Sequence, residues 1–126
     1  ADDAQVAVSV PNVRNLMLVG QLHNDGTWHY TPAGLLDITH IRFFALRDVF
    51  RLMDETGYRM VDVKSNIDAR YAELYAANRG KPSVSVQVGR VKLENLTEAE
   101  LLEYCTLQFV ALATPKPAAA NDPAAA

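Results

Sequence analysis

Three polar side chains in residues 34–44, GLLDITHIRFF, are of types that do chemistry: Asp37, His40 and Arg42. An imidazole titrates near neutral pH, so His40 is a candidate general base, with Asp37 as the carboxylate that orients it. Arg42 would face a substrate. The same residues admit a structural reading, in which Asp37 pairs with Arg42 and His40 bonds to backbone so that Phe43 and Phe44 pack. Upstream, Asn12 sits at the tip of an apolar strand, where it touches a ligand or closes an Asx-turn. Trp28, His29 and Tyr30 would form an aromatic shelf for a sugar ring or a hydrophobic plug over the core. The candidate catalytic residues are therefore His40 and Asp37, and the candidate substrate-binding residues Asn12, Trp28, Tyr30 and Arg42. His23, Asp25 and His29 lack the register of metal ligands, and no metal is expected. Tyr71 and Tyr75 are spaced as a packing stripe. Cys105, the single cysteine, reads as a small buried hydrophobe rather than a nucleophile. No Ser-His-Asp or phosphate-loop spacing is present.

These residues need elements to hold them. Residues 5–10, QVAVSV, alternate Val with small residues and predict a short strand that both faces of a sheet could cover. Pro11 ends it, because it has no N–H for the ladder. Residues 13–22 predict a short helix, Asn24-Asp25-Gly26 a turn, residues 27–30 a short extended piece, and Thr31-Pro32-Ala33-Gly34 a second turn. Residues 39–44 lead into the clearest helix, 46–56, where Leu46, Val49, Phe50 and Met53 form the stripe that faces a core. Gly57 closes it in a left-handed conformation. A strand over 58–63, a helix over 68–78, an exposed strand or ordered linker over 83–93, a helix running to about Cys105 and a buried strand over 106–114 follow. Thr97 and Glu100 have capping-box spacing at the start of the last helix.

The chain has 126 residues, enough for one ordinary domain. Hydrophobic residues are 49% and charged residues 21%, as in a soluble globular protein. Twelve basic against 15 acidic residues leave a net charge of -3 with no Lys or Arg run, so no nucleic acid partner is expected. No apolar run approaches the ~18 residues of a membrane helix, and no signal-peptide pattern opens the chain. No membrane partner and a cytoplasmic location are therefore expected. One cysteine allows no intrachain disulfide. The expected division is a domain over residues 1–114 and a Pro/Ala-rich tail or linker over 115–126. An opening that enters a strand within a few residues is expected of a piece of a larger protein.

The strand ending in Ser9-Val10-Pro11-Asn12, followed at this distance by GLLDxTHxRFF, resembles the C-terminal half of class I S-adenosylmethionine-dependent methyltransferases. The family is one found in polysaccharide loci or fused to glycosyltransferases. The resemblance spans roughly residues 4–115, and its specific part is residues 34–44. It implies an α/β fold: a partial Rossmann-like methyltransferase sheet, roughly three-stranded and mixed, with three to four helices, lacking the N-terminal cofactor-binding half. The strand over 5–10 would be the fifth of a doubly wound sheet, and those over 58–63 and 106–113 the last two, paired antiparallel. The implied cofactor is S-adenosylmethionine in the intact protein, with none bound by this chain alone, because the Gly-rich loop and the acidic ribose-binding residue are missing. The implied partners are a saccharide or other small-molecule acceptor. Across the exposed sheet edge, the missing N-terminal half or a second copy is implied. The chain departs from the family at Ala45, where a capping Thr is usual. A non-catalytic α/β interaction or dimerisation module is the alternative reading.

Overall fold

The computed structural model describes residues 4–117. Alternating valines form β1 (Val6–Pro11). Asn15 then caps α1 (Leu16–Gly20), its side-chain oxygen accepting the Met17 N–H at 2.8 Å. The helix widens into a π-helical turn, Gln21–Asp25, which Gly26 ends at φ 66°. An irregular segment leads to α2 (Leu46–Glu55), then β2 (Tyr58–Ile67). A 3₁₀ turn, Ala69–Tyr71, and α3 (Ala72–Asn78) follow. A hairpin of β3 (Val84–Val88) and β4 (Val91–Leu96), α4 (Glu98–Cys105) and β5 (Thr106–Pro115) complete the order.

Among the described residues the architecture is mixed α/β, with a small antiparallel sheet and four α-helices. The main sheet has the order β1-β5-β2. The strands number three as expected, but both pairings are antiparallel, so the sheet is not mixed in its hydrogen bonding. The reason is that β5 inserts between β1 and β2. Those two strands run parallel to each other, joined by a crossover that carries α2, and never touch. Val49 and Met53 of α2 are buried, and Val49 packs with Val10 and Ala111 on one face of the sheet. Phe50, assigned to the same stripe, is instead 44% exposed, because so narrow a sheet reaches only part of the helix.

The expectation that both faces of β1 are covered fails. β1 is an edge strand, and Ala7 and Ser9 are exposed. They share an open face with Val110, which registers against Ser9 on one side and Lys64 on the other. The 83–93 stretch is neither a lone strand nor a linker: it extends to Leu96 as a two-stranded hairpin with its own core. Val84, Val86 and Leu96 pack there with Leu16, Leu101 and Cys105. Residues 27–30 form no strand. Gly20 allows α1 to approach this hairpin, since a Cβ there would meet Val88 Cγ1 at 2.8 Å. The tail expected over 115–126 lies outside the described residues from 118 onward. Before that, Pro115 ends β5 and Lys116 pairs with Asp54.

Candidate functional site

β1 and α4 end at the same place, and that coincidence builds the site. A helix leaves its last carbonyls without intrahelical partners. No loop separates α4 from β5, so α4's last carbonyls are met by Thr106 itself and by groups from distant segments. Asn12, fully buried, donates from Nδ2 to the carbonyls of Glu103 at 2.6 Å and Thr106 at 2.9 Å. Its Oδ1 accepts the Arg14 N–H at 3.0 Å, closing an Asx-turn. Asn15, also buried, donates to the same Thr106 carbonyl at 3.0 Å and to Asp68 Oδ2 at 3.0 Å. The Asp68 N–H donates to the Cys105 carbonyl at 2.8 Å. Asp68 in turn accepts Arg70 through Nε at 3.0 Å and a terminal nitrogen at 2.8 Å. Burial works against the Asp68 charge, but hydrogen bonds from the Arg70 side chain and N–H and from Asn15 outweigh it. The carboxyl therefore titrates below its ordinary range. The neighbouring Cys105 thiol is pushed up to about 11 by burial and by Asp68, which leaves it unreactive.

Above this polar knot lies the loop carrying residues 34–44. Leu35 and Leu36 are buried with Leu18. Asp37 accepts the Thr39 N–H at 2.8 Å and the Thr39 hydroxyl at 2.7 Å. Those two bonds, with a smaller contribution from His40, hold its carboxyl below the usual range. The His40 ring places Nδ1 3.1 Å from the Leu35 carbonyl oxygen. A carbonyl only accepts, so in the neutral ring Nδ1 carries the proton and Nε2 keeps the lone pair. The imidazole is thus oriented by backbone; Asp37 is occupied by Thr39. No ion pair joins Asp37 to Arg42 among the described residues, and Arg42 is exposed.

Phe43 is the hub of an aromatic group. Trp28 meets it edge-on with centroids 5.3 Å apart, Tyr30 at 6.2 Å and His40 edge-on at 6.3 Å. Trp28 also packs against the Leu18, Leu35 and Leu36 cluster, while Tyr30 is 45% exposed. The fold therefore brings His40, Trp28 and Tyr30 together around one ring. It keeps Asn12 apart, its amide spent inside the knot, and leaves Arg42 in solvent.

Two adjoining clefts open at the carboxyl end of β1. One, of about 270 Å³, is lined by Pro11, Leu35, His40 and Gln108 among others. The other, of about 350 Å³, shares Gly34, Leu35 and Leu107 with it and reaches His29, Thr31 and Arg70. A third, shallower trough of about 630 Å³ runs between residues 41–44 and the outer face of α2. Arg70 and Gln108 were missed by sequence reasoning. Arg70 lies in a stretch with no motif; the only hint was Asp68, a residue type that caps helices, two positions before it. Among the described residues no three His, Cys, Asp or Glu side chains converge as a metal site requires, and no helix is long and apolar enough to cross a membrane. Compared with known proteins, the chain matches no family model and no curated relative.

Proposed function

We propose that this chain is the acceptor-side portion of an S-adenosylmethionine-dependent methyltransferase acting on a sugar or other small acceptor. The finer fold reading, that the sheet is the last part of a Rossmann-like one, belongs to the same proposal. The observation that carries it is the His40 geometry. Nδ1 is fixed on the Leu35 carbonyl, and the ring borders a cleft at the carboxyl end of β1. Ligands of doubly wound folds gather at the carboxyl ends of their strands. The parallel relation of β1 and β2 around a helical crossover, and the antiparallel β2–β5 pair, support the fold reading. The donor would supply a sulfonium methyl for in-line displacement, with the acceptor oxygen bonding to the methyl carbon and the sulfur leaving as a thioether. Alignment supplies most of the acceleration. His40 Nε2 takes the proton of an acceptor hydroxyl, and Trp28 and Tyr30 flank the ring that carries it. Asp37 is a turn-closing residue in this mechanism. S-adenosylmethionine, when bound, would supply the methyl group, and none of these residues is assigned to hold it.

His40→Ala in the intact enzyme is expected to lower turnover at least ~100-fold while leaving the melting temperature in place. Loss of both together contradicts the catalytic role.

A second reading, a non-catalytic dimerisation module, is favoured by one feature. The two outer strands differ in how their free edges are protected. β2 carries Arg59, Asp62 and Lys64 and a bulge between Met60 and Asp62, which discourage strand addition. β1 carries no charge, and beyond its Asn12–Phe44 bridge its outer side is unpaired among the described residues. Light scattering separates the alternatives: a dimer that substituting the exposed Ser9 by Lys (Ser9→Lys) dissolves supports pairing through β1, and a monomer at high concentration rejects it.

A further inference from the structure

The wider cleft contains a cation that is held in place by a buried partner. The Arg70 guanidinium uses Nε and one terminal nitrogen on Asp68, whose side chain is only 5% exposed, and its other terminal nitrogen touches the Met17 sulfur. Asp68 is itself fixed by Asn15, and Asn15 by the Thr106 carbonyl. A guanidinium has five N–H donors. Two go to the carboxylate and one toward the sulfur, so each terminal nitrogen keeps an N–H without a protein acceptor among the described residues. Arg70, its side chain half-exposed, lines the cleft together with His29 and Thr31. No Asp or Glu lines it, although the chain as a whole is acidic. An arginine pre-oriented by a buried carboxylate loses little side-chain entropy when it takes a planar or tetrahedral oxyanion.

We propose that this cleft binds an anionic group of the acceptor, a carboxylate or a phosphate, on the free donors of Arg70. This rests on the acceptor-side reading and narrows the acceptor to a charged one, such as a uronic acid or a sugar phosphate. Arg70 is then a substrate-positioning residue: it fixes one end of the acceptor so that a hydroxyl lies against His40 in the adjoining cleft.

The test is a nuclear magnetic resonance titration of the 126-residue chain with galacturonate, inorganic phosphate and neutral galactose in separate arms. Saturable shifts at the Arg70 Nε–H and the Thr31 and Leu35 amides are expected with galacturonate, phosphate or both, and the stronger arm identifies the oxyanion. Arg70→Gln is expected to weaken binding at least ~10-fold. Arg70→Lys, which keeps the charge but loses the fork, is expected to fall between the two and also serves if Arg70→Gln does not fold. Shifts no larger than those given by galactose, shifts mapping away from Thr31 and Leu35, or equal affinity in Arg70→Lys and wild type would overturn the proposal. The methyl donor takes no part in this titration. Anion binding can therefore fail while methyl transfer stands, which would mean a neutral acceptor, and the reverse is equally distinguishable.

Discussion

The knot beneath the site and the loop above it are built from the same residue types by opposite means. In the knot, Asn12, Asn15, Asp68 and Thr106 are buried, and beside their local bonds they are tied together across 53 to 94 positions. In the loop, Asp37 bonds a residue two positions on and His40 one five positions back. Long-range bonds between buried groups fix the frame; local bonds near solvent shape a surface without stabilising it much. The polar residues that looked most chemical from sequence divide along this line. Asn12 belongs to the frame. His40 belongs to the surface, where a lone pair can be presented to a ligand.

The two regions should differ most at Asp68. Asp68→Ala takes from the Asn15 amide one of its two acceptors, leaves Arg70 without its carboxylate and removes a cap. It is expected to cost about 3 kcal/mol in urea denaturation. Asp37→Ala, the counterpart in the loop, is expected to leave the midpoint nearly unchanged. Equal losses at the two sites would erase the distinction. Next in size is Gly20→Ala, which forces a methyl against Val88 where α1 meets the hairpin. An overpacking loss of about 1–3 kcal/mol is expected by the same measurement.

The knot should also respond to pH. The Asp68 carboxyl is depressed in the folded state, so its contribution is complete above the unfolded value of about 3.9 and is lost as pH falls through the folded one. Melting temperature is therefore expected to fall below about pH 4, and the fall should be shallower in Asp68→Asn. The smallest effect is a gain. Ala45 has no side-chain oxygen, so at the start of α2 only the Asp48 carboxylate bond back to the Ala45 N–H is made, at 3.1 Å. Ala45→Ser supplies the missing acceptor and is expected to add about 1 kcal/mol in thermal denaturation.

Local periodicity made α2, α4 and β5 legible in the sequence. The capping box was fully so: Thr97 accepts the Glu100 N–H and Glu100 the Thr97 N–H, each at 3.1 Å. What could not be read is what depends on distant partners. The alternation of β1 says which residues share a face, but not that β5 would take one side and leave the other open. The hairpin's turn at Gly89 was visible as a glycine, yet its closure by Asn24, which donates to the Val88 carbonyl and accepts the Arg90 N–H, joins segments 64 to 66 positions apart. In the candidate site, His40 and the aromatic residues around Phe43 carried a motif. Arg70 carried none, because its importance comes from a carboxylate buried by the tertiary fold.

As proposed, these residues shape an acceptor pocket and depend on a further segment for the methyl source. Isothermal titration with S-adenosylmethionine addresses that dependence directly, run on the 126-residue chain and on the full translated reading frame that contains it. No binding heat from the chain and micromolar binding by the longer protein are expected. Micromolar binding by the chain alone, or none by the longer protein, would contradict the proposal.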